Sequence, residues 1–229
     1  MSYQNYFQSM KFAALAAVFA VLSACSGGDD AANNGSSDTG TLSADTGTEI
    51  PEGVSNAEGT WGDIVYGDPN APVEIIEYAS LTCPHCASFA TQIFPKIKES
   101  YIDTGKVKFV YRNFIMNKYD MAASVVARCK SPEIAKRLMS VFFAQQNNWA
   151  RSEDPAGALA ALARRAGGIS RTQFDRCVSD QDMQKHLVKM TQDGSTRYKV
   201  NATPTIILNG DKVDNYGLEN LQTLIEAEQ

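Results

Sequence analysis

Cys83-Pro84-His85-Cys86 is the part of the chain best suited to chemistry. A β-branched, apolar run precedes it and apolar residues at helical spacing follow it, so the two thiols fall where a strand gives way to a helix. A thiol at a helix N-terminus meets the positive end of the dipole and backbone N–H groups without intrahelical partners. Both favour thiolate, and cysteines in such motifs ionise between about pH 3.5 and about pH 7. The two-residue spacing lets the second sulfur reach the first within one turn. His85 adds a donor or partial positive charge beside the first sulfur, and Pro84 suits the first helical turn. A stable thiolate stabilises the dithiol, which makes the disulfide a strong oxidant. Two other readings are a structural disulfide and half of a zinc site. Zinc wants four ligands, whereas the other cysteines are isolated and His186 stands alone.

The elements that position this motif can be traced along the chain. Ile64-Val65-Tyr66 is a short strand, Gly67-Asp68-Pro69-Asn70 a turn, and Val73–Tyr78 a buried strand interrupted by Glu77. After the cysteines, Phe89, Ile93, Phe94 and Ile97 recur at helical spacing; Pro95 should kink that helix and Gly105 end it. Val107–Phe114 is the next strand. From Tyr119 to about Tyr198 the signals are helical, with breaks at Ser131-Pro132, Asp154-Pro155, Gly167-Gly168 and Asp180. Strand chemistry returns at Thr205–Leu208, Asn209-Gly210-Asp211 signals a hairpin into Lys212-Val213, and Gly217 to Glu228 closes as a helix. The order predicts an α/β fold: a parallel strand pair joined by a helix, a terminal hairpin, and a helical insertion between the halves.

The 229 residues carry a net charge of −5 and are 44% hydrophobic. That allows one domain or two small ones. Gly and Pro are too few for a collagen-like or wholly disordered chain. Residues 26–60 hold seven acids and no base, while 61–229 hold 19 acids and 20 bases. The acidity therefore belongs to the tail, and without a basic excess a general nucleic-acid binder is not expected. Two His and five Cys leave little for a His-rich metal site.

Residues 1–25 read as an address. Met10-Lys11, the apolar run Phe12–Leu22 and Ser23-Ala24-Cys25 form a charged start, an apolar stretch too short for a comfortable membrane span, and a small-residue processing site. Leu22-Ser23-Ala24-Cys25 resembles a bacterial lipobox, which makes Cys25 the expected lipidation site; the alternative is an ordinary cleaved signal. Residues 1–9, with Tyr6-Phe7-Gln8-Ser9-Met10, look like a tag-cleavage scar or native sequence upstream of the start. Residues 26–60 are small and polar and read as a disordered acidic tether.

From residue 61 to residue 229 the chain resembles the DsbA family of bacterial periplasmic thiol-disulfide oxidoreductases. The residues that carry the resemblance are Ala71–Tyr78 leading into Cys83-Pro84-His85-Cys86, the strand Lys106–Phe114, the helical insertion, and Ala202-Thr203-Pro204-Thr205. It implies a thioredoxin fold, with residues 61–116 and 200–229 as the thioredoxin-fold domain and 117–199 as the insertion. It implies that Cys83 is the exposed attacking sulfur and Cys86 the buried resolving one. Pro84-His85 matches the strongly oxidising members. Thr203-Pro204 matches the family's cis-proline loop, where the backbone before the proline pairs with an extended substrate. Thr203 replaces the Val of the best-known oxidase and occurs in other branches, isomerases included, which weakens subclass assignment. Glu77, six residues before Cys83, matches a buried acid that relays a proton to or from the second cysteine; alternation alone leaves it equally an exposed strand-end acid.

Cys129 and Cys177 remain. In an oxidising compartment two left-over cysteines usually pair, and some alphaproteobacterial DsbA relatives have such a second disulfide; two separate buried thiols are the alternative. His186 is expected as a helix-surface or satisfied core residue, Phe142, Phe143 and Trp149 as core, and Lys96, Lys98, Lys106 and Lys108 as a solvated face. The resemblance implies an enzyme without cofactor or metal. It implies a periplasmic protein, lipid-anchored to the outer or inner membrane, that oxidises unfolded or reduced secreted proteins. A DsbB-like membrane protein would reoxidise it. The alternatives are a reductase or isomerase fed by a DsbD-like donor and a thiol-based copper-binding protein. The tail is too polar and short for an N-terminal dimerisation domain, so a monomer is expected.

Overall fold

The computed structural model describes residues 59–229. The leader, Cys25 and nearly all of the acidic tether lie outside the described residues. Five strands, β1 (Ile64–Tyr66), β2 (Val73–Ala79), β3 (Val107–Asn113), β4 (Thr205–Leu208) and β5 (Asp211–Val213), form one mixed sheet in the order β1-β3-β2-β4-β5. β2 runs parallel to β3, and the other three pairings are antiparallel. This is the thioredoxin fold with its parallel pair and terminal hairpin. At the hairpin Asn209 and Gly210 both take positive φ, 47° and 97°, as a two-residue turn that follows the strand twist requires.

β2 is central. Ile75 faces Phe109 on one side and Leu208 on the other. Both sheet faces are covered: Ile75 and Ala79 belong to the main core, Ile76 and Tyr78 to a smaller cluster with Val110, Val200 and Ile207. Strand alternation puts Glu77 on the face of Ile75 and Ala79, towards the main core that also contains Cys83 and Cys86.

After the sheet's first crossing the chain enters α1 (Pro84–Ser88), a π-helical turn (Phe89–Ile93), α2 (Phe94–Ile97) and a second π-helical turn (Lys98–Ile102). Pro95 was expected to kink a regular helix. It has no N–H, and its ring crowds the carbonyl four residues back. Just before it the hydrogen bonds widen by one residue, so that the Phe94 N–H reaches the Phe89 carbonyl. Gly105, at φ 75°, closes the segment with a bond to the Ile102 carbonyl.

Six helices separate β3 from β4: α3 (Lys118–Arg128), α4 (Pro132–Ala144), α5 (Gln146–Ala150), α6 (Pro155–Gly167), α7 (Arg171–Val178) and α8 (Gln181–Arg197); α9 (Leu218–Ala227) follows β5. Their boundaries carry local causes. Pro132 and Pro155 occupy first turns, Asp154 and Asp180 cap α6 and α8, Ser170 and Gln173 form a capping box, and Gly168 ends α6 at φ 62°. These helices share one apolar core with the sheet, and Phe142, Phe143 and Trp149 lie inside it. α8 lies close against β2: a Cβ on Gly194 would stand 2.5 Å from the Tyr78 ring.

His186 packs edge-on against Trp61 with ring centroids 5.5 Å apart, and its Nε2 is buried without a hydrogen-bond partner among the described residues. The half-buried ring also bonds the Trp61 backbone, so it is satisfied on one side only; burial lowers its pKa, which suits a neutral ring. Lys98 pairs with Asp103 and Lys108 with Glu74 at the surface. Buried Arg128 donates to Asn113 Oδ1 and to the carbonyls of Thr60 and Gly62, which ties the start of the described chain to α3.

Cys129, just after α3, is bonded to Cys177 in the last turn of α7, with Cα atoms 5.8 Å apart and a sequence separation of 48. A loop of that size is worth about 2–4 kcal/mol. Cys129→Ala/Cys177→Ala should lower Tm by roughly 5–15 °C, as calorimetry can check. An unchanged Tm would mean that the bridge constrains nothing the fold does not already hold.

Candidate active site

Cys83 is the residue before α1, with extended backbone (φ −82°, ψ 122°), and its carbonyl accepts the Ala87 N–H at 3.1 Å. The strand-to-helix junction thus aims its side chain along the helix start. Cys83 is 8% exposed and Cys86 is fully buried; both are thiols here. Pro84 and His85 are exposed beside them. From the far end of the chain the loop before β4 arrives with a cis Thr203–Pro204 bond, and the Cys83 thiol donates to the Thr203 carbonyl at 3.2 Å. Pro204 is buried beneath.

The electrostatics separate the two sulfurs. A hydrogen bond from Cys86, with Thr203 and the backbone N–H groups of Cys86 and His85, brings Cys83 down to about 5, against the opposing effect of burial. Cys86 is pushed far up, first by burial, then by its bond to Cys83 and the nearby Glu77. Glu77 is pushed up to about 8 by burial and then by the charge of Cys83, and its Oε1 has no hydrogen-bond partner among the described residues. One acidic thiol, one thiol kept protonated and one buried proton-holding carboxyl make a site suited to thiol–disulfide exchange.

The structure therefore brings Cys83, Cys86, Glu77, Thr203 and Pro204 together, with Pro84 and His85 on the rim. The Cys129–Cys177 bridge belongs to the helical block. Two residues that sequence reasoning passed over grip the loop before Cys83. Asp120 accepts the Leu81 N–H at 2.8 Å and the Met116 N–H at 3.0 Å. Gln146 donates to the carbonyls of Leu81 and Cys83, each at 2.9 Å. Asp120 is the acid in the first turn of α3, a place that by itself signals no contact beyond the helix. Gln146 carried a readable signal, a polar residue between Phe143 and Trp149 on an apolar helix face. Around the site Met116 and Tyr119 are exposed, and the Thr203 hydroxyl meets Met116 Sδ at 3.3 Å. Shallow grooves of about 290 and 320 Å3 border Pro84, both lined by Gln146, Asn147 and Arg151.

The family described as Thioredoxin matches residues 60–227. A putative protein-disulfide oxidoreductase of Rickettsia bellii is 33% identical over 165 residues, which is 72% of this chain and 63% of that protein. The chain thus spans somewhat less than two thirds of that relative's length. Disulfide bond formation protein D of Bacillus subtilis is 28% identical over 185 residues, 77% of this chain and 82% of that one. Among solved structures, alpha-DsbA1 of Wolbachia pipientis superposes with a TM-score of 0.66 at 28% identity, covering 72% of this chain and 89% of that chain.

Proposed function

The chain belongs to the thioredoxin family, in its DsbA-like branch, and from that premise we propose that it is an envelope thiol oxidase that introduces disulfides into secreted proteins. The observation that carries the reading is the place of Cys83 at the N-terminus of α1, where the Cys86 thiol and the backbone N–H groups of Cys86 and His85 bring its sulfur down to about 5. A thiolate that stable is a good leaving group, and it favours the dithiol form of the enzyme.

In the oxidised protein a substrate thiolate attacks Cys83 Sγ. A substrate–Cys83 disulfide forms, the Cys83–Cys86 bond breaks, and Cys86 takes the electron pair. Cys86 is buried and its thiol is strongly favoured over thiolate. The proton on Glu77, retained up to about pH 8, is suited to neutralise it. The substrate's second thiolate then attacks its own sulfur in the mixed disulfide, and Cys83 leaves as thiolate. The substrate has lost two electrons and the enzyme is a dithiol. A DsbB-like membrane protein takes those electrons and restores the disulfide. The short apolar run Phe12–Leu22 followed by Ser23-Ala24-Cys25 supports a lipid-anchored location in the periplasm.

A second reading, supported by Thr203 in place of Val before the cis-proline, is an envelope reductase or isomerase fed by a DsbD-like donor. The equilibrium potential of the Cys83–Cys86 pair in glutathione buffers separates the two. An oxidase should give a value near about −120 mV, whereas about −270 mV would overturn that reading in favour of the reductase.

A further inference from the structure

The loop before Cys83 is held by the helical block at three points. Leu81 N–H goes to Asp120, and Leu81 and Cys83 both give their carbonyls to the Gln146 amide. Gln146 is buried and opens α5, a five-residue helix that is itself tied down by Trp149, whose Nε1 donates to the Phe142 carbonyl at 2.8 Å. Both hydrogens of the Gln146 amide nitrogen are spent on carbonyls two residues apart. The amide orientation follows from this, because the flipped form would set its oxygen against two oxygens. Bringing both carbonyls onto one nitrogen sets the curvature of Leu81–Cys83 and the direction in which the Cys83 backbone enters α1.

We propose that Gln146 is a positioning residue for the redox pair: by holding the Leu81 and Cys83 carbonyls it keeps Cys83 Sγ against the N–H groups of His85 and Cys86, and so sets how strongly the pair oxidises. This rests on the thiol-exchange reading above. Gln146 touches neither sulfur and carries no charge. Its effect passes through the backbone, because the bonds that stabilise a thiolate weaken steeply with distance and angle. The helical block then does more than shield the site. Through Gln146 it tunes the chemistry of a cysteine on another element.

Gln146→Met keeps volume and removes both donors. It should raise the midpoint of thiolate absorbance against pH by about one pH unit, which leaves about tenfold less Cys83 thiolate at a given pH well below 5. The equilibrium constant with glutathione should shift about tenfold towards the disulfide, about 30 mV for this two-electron couple. Gln146→Leu likewise removes both donors and adds no charge, should move both quantities the same way, and serves if Gln146→Met does not fold. Cys129→Ala/Cys177→Ala loosens the helical block at the bridge between α3 and α7, away from Gln146 and the loop carbonyls. It should lower Tm and leave thiolate fraction and potential unchanged. If the Gln146 variants lower Tm alone, or if Cys129→Ala/Cys177→Ala moves the potential equally, Gln146 is a structural residue and the proposal falls. The thiolate titration reads Cys83 directly. A wild-type potential near the reductase value would therefore sink the oxidase reading while leaving this test intact.

Discussion

Replacing Cys83 with Ser should reduce exchange with a dithiol substrate to the level of the buffer alone, whereas Cys86→Ser should yield a protein that stalls as a substrate–Cys83 mixed disulfide. The difference follows from the sulfurs' surroundings. With a pKa of about 5, Cys83 is almost wholly thiolate at pH 7, against about 3% for an ordinary thiol near 8.5. That is about thirtyfold more of the attacking or leaving species. Cys86 has no exposed surface and a strongly favoured proton, so it reaches only a sulfur already brought to it by Cys83. Mass spectrometry checks both variants after mixing with a peptide held as a mixed disulfide with glutathione: in Cys86→Ser the Cys83 thiolate displaces glutathione, which leaves as its thiol, and retains the peptide, whereas Cys83→Ser takes up none. Exchange retained by Cys83→Ser would make Cys86 the attacking sulfur and reverse the mechanism.

Glu77→Gln should make the protein more stable, by an amount that grows with pH. The folded-state pKa of about 8 lies above the ordinary 4.5, so between those values the native state binds a proton that the unfolded chain has released. Stability therefore falls as pH rises from about 4.5 to about 8 and is level on either side. The full difference is on the order of 5 kcal/mol. The neutral Gln side chain escapes this loss, and the Tm gap over wild type should widen by roughly 10–20 °C between pH 5 and pH 9. Without a proton donor beside Cys86, opening of the Cys83–Cys86 disulfide should slow by about a hundredfold near pH 7. Stopped-flow mixing with a substrate thiol reads the rate and scanning calorimetry reads Tm. A Tm gap that stays constant with pH would mean that Glu77 ionises as an exposed carboxylate does.

What could be read from the sequence alone was local. The strand-to-helix junction at Cys83, the first-turn Pro84, the helix breaks at Ser131-Pro132, Asp154-Pro155, Gly167-Gly168 and Asp180, and the Asn209-Gly210 turn each depend on residues within about four positions of one another. So does the order of elements that gives a thioredoxin sheet. The π-helical turns around Pro95 escaped, because periodicity reads a missing N–H as a bend and not as a wider hydrogen-bond register.

The site itself needed the tertiary structure. Alternation could not place Glu77, because β2 is covered on both faces and its pattern is almost uniformly buried. The Thr203 carbonyl reaches Cys83 across 120 residues, the Gln146 amide reaches the Cys83 carbonyl across 63, and Asp120 reaches Leu81 across 39. Single-residue signals state what a side chain is able to bond: which positions carry sulfur, which carry charge and which end a helix. Which partner each one meets is decided when the sheet and the helical block bury their apolar faces together. That packing is cooperative and non-local, and it set both the proton on Glu77 and the direction of Cys83.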